Sequence, residues 1–226
     1  MMDKDIVART GLIAHGRGEA FDYFLGERTP PEASLAASVA AWHLVKARNP
    51  VISVNGNVAA LAGKEIIKLS RAIPARLEVN LFHRTEARVN LVAEFMESLG
   101  AENVLGRNAR RRIPGLEQPR GRCADGIFNA DVVLVPLEDG DRAQALKKFG
   151  KFVIAIDLNP MSRTALAADI TIVDELTRAI PILKAHVRKA KKDPKRYAKS
   201  CEGFDNRSNL LSVRNRMAGR LMEASR

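Results

Sequence analysis

Cysteine is almost missing from this chain. Its two copies, Cys123 and Cys201, lie 78 residues apart with no CxxC spacing, so neither a disulfide framework nor a cysteine-based zinc site is indicated. Long apolar runs are missing too: the stretch around Val132 to Leu137 falls far short of the roughly 20 residues that span a bilayer. The amino terminus carries no signal-peptide pattern. These absences set the expectation of a soluble protein in a reducing, cytoplasmic compartment without a membrane partner. The histidines, His15, His43, His83 and His186, show no metal-ligand spacing, and His43 beside Trp42 in an apolar helical pattern reads as a packed side chain. No Ser-His-Asp or Cys-His arrangement stands out. Internal repeats and low-complexity linkers are absent as well.

What is present describes an ordinary folded chain with an unusual charge. The chain has 226 residues, 46% hydrophobic and 28% charged, which suits one domain spanning 1–226. Its formal charge is +11, and the excess is localised. Residues 184–226 hold 13 Lys or Arg against 4 acids, and residues 107–122 hold 6 Arg against Glu117 alone. A near-neutral body carrying two basic segments attracts anions, whether nucleic acid, a membrane surface or phosphorylated small molecules.

Short β-branched runs alternate with helical spacing from Val51 onward. Strands are expected at Val51–Asn55, Leu77–Phe82, Asp131–Leu137, Lys151–Leu158 and Ile170–Val173, several of them apolar nearly throughout, as strands buried on both faces are. Helices are expected at about 32–48, 58–72, 85–99 and 141–149. The alternation implies right-handed crossovers and an open, mainly parallel, doubly wound α/β sheet over 51–180. A helical, basic carboxy-terminal segment follows over 181–226, with one helix through Ala190 and another at about 206–224. Gly106–Gly126, rich in Arg and without a sustained period, reads as a long loop.

Four clusters carry residues suited to anions. In His15-Gly16-Arg17-Gly18, two glycines ahead of a helix would bring backbone close to an anion, although the spacing fails as a dinucleotide fingerprint and a plain capping turn is equally consistent. Asn55-Gly56-Asn57 ends the first strand; Gly56 to Gly63-Lys64-Glu65 is too long for a P-loop and lacks its Ser or Thr. His83, Arg84 and Thr85 follow the second strand, where the alternative is Thr85 as a simple N-cap. Asp157-Leu158-Asn159 ends another strand, with Ser162, Arg163 and Thr164 opening a helix. The basic run Lys189–Lys199 suits nucleic acid by charge, but only Tyr197 and Phe204 lie nearby as aromatics, and a solvated helix face explains it as well.

Read together, residues 11–23 (GLIAHGRGEAFDY), 53–57 (SVNGN), 80–86 (NLFHRTE), 157–164 (DLNPMSRT), 171–174 (TIVD) and 178–181 (RAIP) resemble the archaeal phosphopantothenate synthetases, in order and over nearly the whole chain. The resemblance implies a homodimeric, Rossmann-like fold and 4-phosphopantoate–β-alanine ligase activity in coenzyme A biosynthesis, with ATP cleaved to AMP and pyrophosphate and Mg2+ as its companion. It implies ATP contacts at Arg17, Asp157, Leu158, Asn159, Arg163, Thr164, Glu175 and Leu176. Position 175 is commonly Asn in that pattern. The family also has a further basic amino-terminal segment supplying another Arg, whereas Met1 here stands only ten residues before Gly11; the expectation is either a start assigned too late or ATP binding without that contact. By their place at other strand ends, Asn55, Gly56, Asn57, His83 and Arg84 are expected to hold phosphopantoate. A basic nucleic-acid-binding α/β protein is the alternative expectation.

Overall fold

Valine and isoleucine runs with apolar side chains on both faces are stable as strands only where helices cover both sides of a sheet. The computed structural model describes residues 1–224 and meets that condition. Its elements are α1 (Arg9–Leu25), α2 (Pro31–Lys46), β1 (Pro50–Val54), α3 (Gly56–Ala72), β2 (Arg76–Val79), α4 (Glu86–Ser98), β3 (Arg111–Arg112), β4 (Arg122–Cys123), α5 (Asp125–Asn129), β5 (Val132–Pro136), α6 (Gly140–Lys148), β6 (Phe152–Ile156), α7 (Arg163–Ala167), β7 (Ile170–Ile172), α8 (Leu176–Lys192), α9 (Pro194–Cys201) and α10 (Asn206–Ala224). Ser225 and Arg226, the end of the expected carboxy-terminal segment, lie outside the described residues. No helix is long and apolar enough to cross a membrane among the described residues.

β2, β1, β5, β6 and β7 lie side by side in that order, every neighbouring pair parallel. Counted within the sheet this is the 2-1-3-4-5 order of a doubly wound fold, whose connections leave the carboxyl ends of β1 and β5 in opposite directions and open a crevice there. Alternation of side chains divides the core in two. Ile52, Val54, Leu134, Ile154 and Ile156 meet α2, α3 and α8, whereas Val51, Val133, Val135, Val153 and Ala155 meet α5 and α6. Buried Ala33, Ala36, Ala37, Ala40 and Ala41 allow α2 to lie close against α8. His43 stacks on Phe152 at 4.1 Å, packed as its helical setting predicts. A third cluster, Leu25, Leu158, Val173, Leu210, Val213 and Met217, seats α10 against the end of α1 and the β6 and β7 ends.

Three expectations are corrected. Gly16, Arg17 and Gly18 do not precede a helix; they lie in the middle of α1. Their backbone N–H groups therefore belong to the helix ladder and are not free for an anion. The helix withstands two glycines because its carboxyl end is anchored: Phe21, Phe24 and Leu25 pack into the third cluster, and Asp22 holds Arg178 of α8 at 2.5 and 3.0 Å. The Gly106–Gly126 loop contains the β3–β4 hairpin and buries Ile113, Leu116 and Cys123 in the core, so spacing too short to show a period still carries apolar anchors. β2 stops at Val79 rather than Phe82, because its partner β1 ends at Val54, opposite Val79. The short helices α5, α7 and α9 fall below the length at which periodicity is readable.

Alanine at Gly16 or Gly18 would meet open space. The double substitution Gly16→Ala/Gly18→Ala should therefore stabilise the protein by about 1 kcal/mol, as helix-interior glycines do when replaced. Denaturant unfolding checks it; a loss of stability would restore the turn reading.

Candidate active site

The β1–α3 turn is held by one amide. Asn55 Oδ1 accepts the Val58 N–H at 3.1 Å and caps α3, while Asn55 Nδ2 donates to the Leu137 and Pro136 carbonyls at 2.9 and 3.4 Å. The side chain thus bridges the β1 and β5 ends across the crevice. Gly56 is required by close approach: a Cβ there would lie 1.9 Å from the Ile6 carbonyl oxygen, where the amino-terminal segment crosses. Asn57 Nδ2 donates to Gly11 O at 3.0 Å and ties α1 to the same turn.

Around this turn lies a cavity of about 470 Å³, walled by Thr10, Gly11 and Arg17 of α1, by Asn55, Gly56 and Asn57, by Phe82, His83 and Arg88, and by Leu137, Glu138 and Asp139 after β5. A larger hollow of about 700 Å³ lies between the α1–α2 connection and α10. It holds no residue of the β1 or β5 end, and its Arg216 is engaged by Glu32 at 2.9 and 3.0 Å, so the crevice is the better candidate.

Glu138 forms the charged floor of the cavity. Its side chain is 5% exposed and accepts from Ser53 Oγ at 3.2 Å and from the Asp139 N–H at 3.1 Å, with Arg142 Nε at 3.4 Å. Burial pushes its carboxyl up to about 7, Arg142 opposing and Asp139 adding to the rise. Arg142, wholly buried, donates to the Arg120 carbonyl at 2.9 Å and so fastens the hairpin segment beneath the site. Glu78, also buried, accepts the Ala124 and Ile127 N–H groups at 2.8 Å each; burial raises its carboxyl too.

At the ends of β6 and β7 stands a second row of groups. Asp157 accepts the Asn159 N–H at 2.9 Å and the Ser162 hydroxyl, and Ser162 caps α7 by accepting the Ala165 N–H at 2.9 Å. Burial raises the Asp157 carboxyl, and the Arg17 charge on α1 is among the influences pulling it back. Thr164 Oγ1 donates to the Glu138 carbonyl at 2.8 Å, joining the two rows. Arg163 is exposed and donates to Asp141 at 2.6 Å. Leu158 and Leu176 are buried, so only their backbone can reach a ligand. Glu175 caps α8, accepting the Thr177 and Arg178 N–H groups at 2.7 and 3.2 Å. An asparagine at this position would cap α8 in the same way.

The structure thus gathers Arg17, Asn55, Gly56, Asn57 and His83 around one cavity. Arg84 is not among them: it is buried and donates to the Gly106 carbonyl at 2.6 Å, and Arg88, one turn further along α4, reaches the cavity instead. Thr85 is the N-cap of α4, accepting the Arg88 N–H at 3.2 Å. Glu138, Asp139 and Arg88 are site residues that the sequence reading missed; only the position of Glu138 just after a strand pointed to it.

An open doubly wound sheet with arginines and buried carboxylates at its switch point defines an α/β protein built to take anionic ligands at its strand ends. The chain belongs to the phosphopantothenate/pantothenate synthetase family, whose sequence profile matches residues 32–220. It is 53% identical over 215 residues to the 4-phosphopantoate–β-alanine ligase of Thermococcus onnurineus, covering 94% of this chain and 82% of that protein. It is 52% identical over 217 residues to the protein of that name from Thermococcus kodakarensis, again covering 94% and 82%. The Methanospirillum hungatei protein of that name is 57% identical over 176 residues, covering 77% and 72%.

Asn55→Asp keeps the α3 cap but loses both donations to the β5 end, leaving an acid facing carbonyls. It should cost about 2 kcal/mol of stability, in the range of an unmade buried hydrogen bond, by chemical unfolding. Glu175→Asn should unfold within about 0.5 kcal/mol of the parent, and Glu175→Ala about 1 kcal/mol below it. Equal losses in the two would show that the carboxylate does more than cap.

Proposed function

We propose that this chain is a 4-phosphopantoate–β-alanine ligase, joining (R)-4-phosphopantoate and β-alanine into 4′-phosphopantothenate in archaeal coenzyme A biosynthesis, with ATP converted to AMP and pyrophosphate. The observation that carries the reading is the position of Arg17. It lies on the wall of the β1–β5 cavity and acts electrostatically on Asp157 at the β6 end, so an acid in the cavity and a nucleotide along β6 and β7 would meet at its guanidinium. The names of the relatives, at 52–57% identity over most of both chains, point to the same condensation.

A carboxylate is a poor acyl donor, because its leaving group would be oxide. In this reading a carboxylate oxygen of phosphopantoate attacks the α-phosphorus of ATP, the bond to pyrophosphate breaks, and a mixed anhydride with AMP results. Charge gathers on the α-phosphate oxygens, where Arg17 and Arg163 supply fixed cations. Arg163 reaches a phosphate by exchanging Asp141 for it. Asp157 and Asn159 offer the hard oxygen donors that suit Mg2+, which takes one or two carboxylates plus nucleotide phosphates. When bound, that ion withdraws charge from the phosphates. The phosphate of phosphopantoate is assigned to His83 and Arg88 with the Asn55–Asn57 turn, which line the same cavity and suit an anion. The reading includes a cytoplasmic homodimer, supported by the outward apolar side chains of α1, Leu12, Ile13 and Tyr23, all exposed in a single copy. Light scattering on the purified protein reports the assembly.

Incubation with ATP, 4-phosphopantoate and β-alanine should yield AMP in step with 4′-phosphopantothenate. Folded protein that makes no AMP with both substrates overturns the reading. Arg17→Ala should lower kcat/KM for ATP about 100-fold, as loss of one charge-stabilising group does, without changing the unfolding midpoint, since Arg17 is exposed on α1.

A further inference from the structure

We infer that Glu138 is the proton acceptor for the amine of β-alanine in the second half of the reaction, an inference that rests on the ligase reading above. β-Alanine arrives as an ammonium ion, which has no lone pair with which to attack the anhydride. A group in the cavity must take a proton from it. Glu138 and Asp139 are the carboxylates on the cavity wall. Asp139 serves first as a cap: its Oδ1 accepts the Arg142 N–H at 3.0 Å at the start of α6 with Arg120 3.7 Å from the same oxygen, while its Oδ2 is buried without a hydrogen-bond partner.

Glu138 is fixed but not saturated. Two hydrogen bonds, from Ser53 Oγ and the Asp139 N–H, orient the carboxyl, and a carboxylate has about four lone-pair sites. Its backbone carbonyl is held by Thr164 at the start of α7, the helix that also carries Arg163. The acceptor for the amine is thereby tied to the nucleotide side, where the anhydride forms. The carboxyl also titrates in a useful range: burial brings it to about 7, with Arg142 and Asp139 as its charged neighbours and Arg17, His83 and Arg88 on the other cavity walls. A base poised there is about half ionised at neutral pH and is basic enough to hold a proton once it has one.

The step balances as follows. Glu138 takes one proton from the ammonium group, and the freed lone pair forms the C–N bond to the acyl carbon. The C–O bond to AMP then breaks, its electron pair leaving on the AMP phosphate oxygen. The nitrogen loses its second proton to solvent, giving the amide and AMP.

Glu138→Gln separates this role from others because the first half-reaction needs no such base. ATP–pyrophosphate exchange dependent on 4-phosphopantoate should stay within about threefold of the parent, while single-turnover transfer to β-alanine should fall 100-fold or more, on the order of a lost general base. Hydroxylamine, a neutral nucleophile at pH 7, should still trap the anhydride as a hydroxamate at near-parental rate. Equal loss of exchange and transfer, or of hydroxamate formation and transfer, overturns the inference. The unsubstituted enzyme gives an independent test should the variant fold poorly: its transfer rate should rise with pH through about 7 and level off above about pH 8. A rate that climbs to pH 9 without levelling assigns the proton to solvent and overturns it. Absence of exchange and of AMP in the unsubstituted enzyme would instead reject the ligase reading itself.

Discussion

The amide of Asn55 holds the crevice together. A doubly wound sheet separates its connections where the winding reverses, and that separation opens the site but leaves two strand ends without a shared connection. Asn55 closes the gap by using both ends of one side chain, accepting from α3 and donating to the backbone after β5. No other residue type of that length offers an acceptor and a two-proton donor at once. Gly56 beside it admits the Ile6 carbonyl, and Asn57 captures Gly11, so α1 is registered against the same three residues. The Asn55–Asn57 turn is therefore scaffold first, and whatever it offers a ligand comes from what the scaffold leaves over.

Beneath the crevice the protein buries charge of both signs. Glu78, Glu138, Arg84 and Arg142 are all nearly inaccessible, and a buried charge is tolerated only when paired or hydrogen-bonded. Much of that pairing is to backbone. Glu78 takes two N–H groups at the start of α5; Arg84 gives to Gly106 O, and Arg142 to Arg120 O. These bonds fasten both ends of a segment with little regular structure to the β2 and β5 ends. The same arrangement leaves Glu138 with a single close cation at 3.4 Å, and so with a carboxyl that burial can raise.

The sequence makes the strands legible because β-branched runs buried on both faces have few other solutions, and it makes Asn55-Gly56-Asn57 and Asp157–Asn159 legible because turn residues at strand ends are physically constrained. It hides α1. Two glycines break the expected pattern, and its exposed Leu12 and Ile13 blur the apolar stripe, so the local signal points to a turn while tertiary anchors at Asp22 and Leu25 decide for helix. It hides Glu138 for another reason. Among Glu138, Asp139 and Asp141 nothing local marks one acid as buried; the distinction needs the strand order, which places β5 next to β1 and puts Ser53 over the carboxyl. Arg84 and Arg88 differ likewise only by which side of the α4 start they fall on.

The excess of positive charge follows the same logic. Pairing within the fold engages several residues of the two basic segments without changing the net charge: Arg107 meets Glu97, Arg111 meets Asp125, Lys184 meets Glu65 and Arg216 meets Glu32. Asp141 is shared, receiving Arg120 from the basic segment at 2.8 Å and Arg163 from α7 at 2.6 Å, and both guanidiniums lower its carboxyl. An anion that binds Arg163 competes with this carboxylate, and Asp141 then keeps Arg120 as its partner, so neither charge is stranded. The cost of releasing Arg163 is small because the pair is largely exposed, where ion pairs contribute at most about 1 kcal/mol. The basic segment thus meets the strand-end row through a shared carboxylate, and in the proposed reading its charge would support the release of Arg163 to a phosphate.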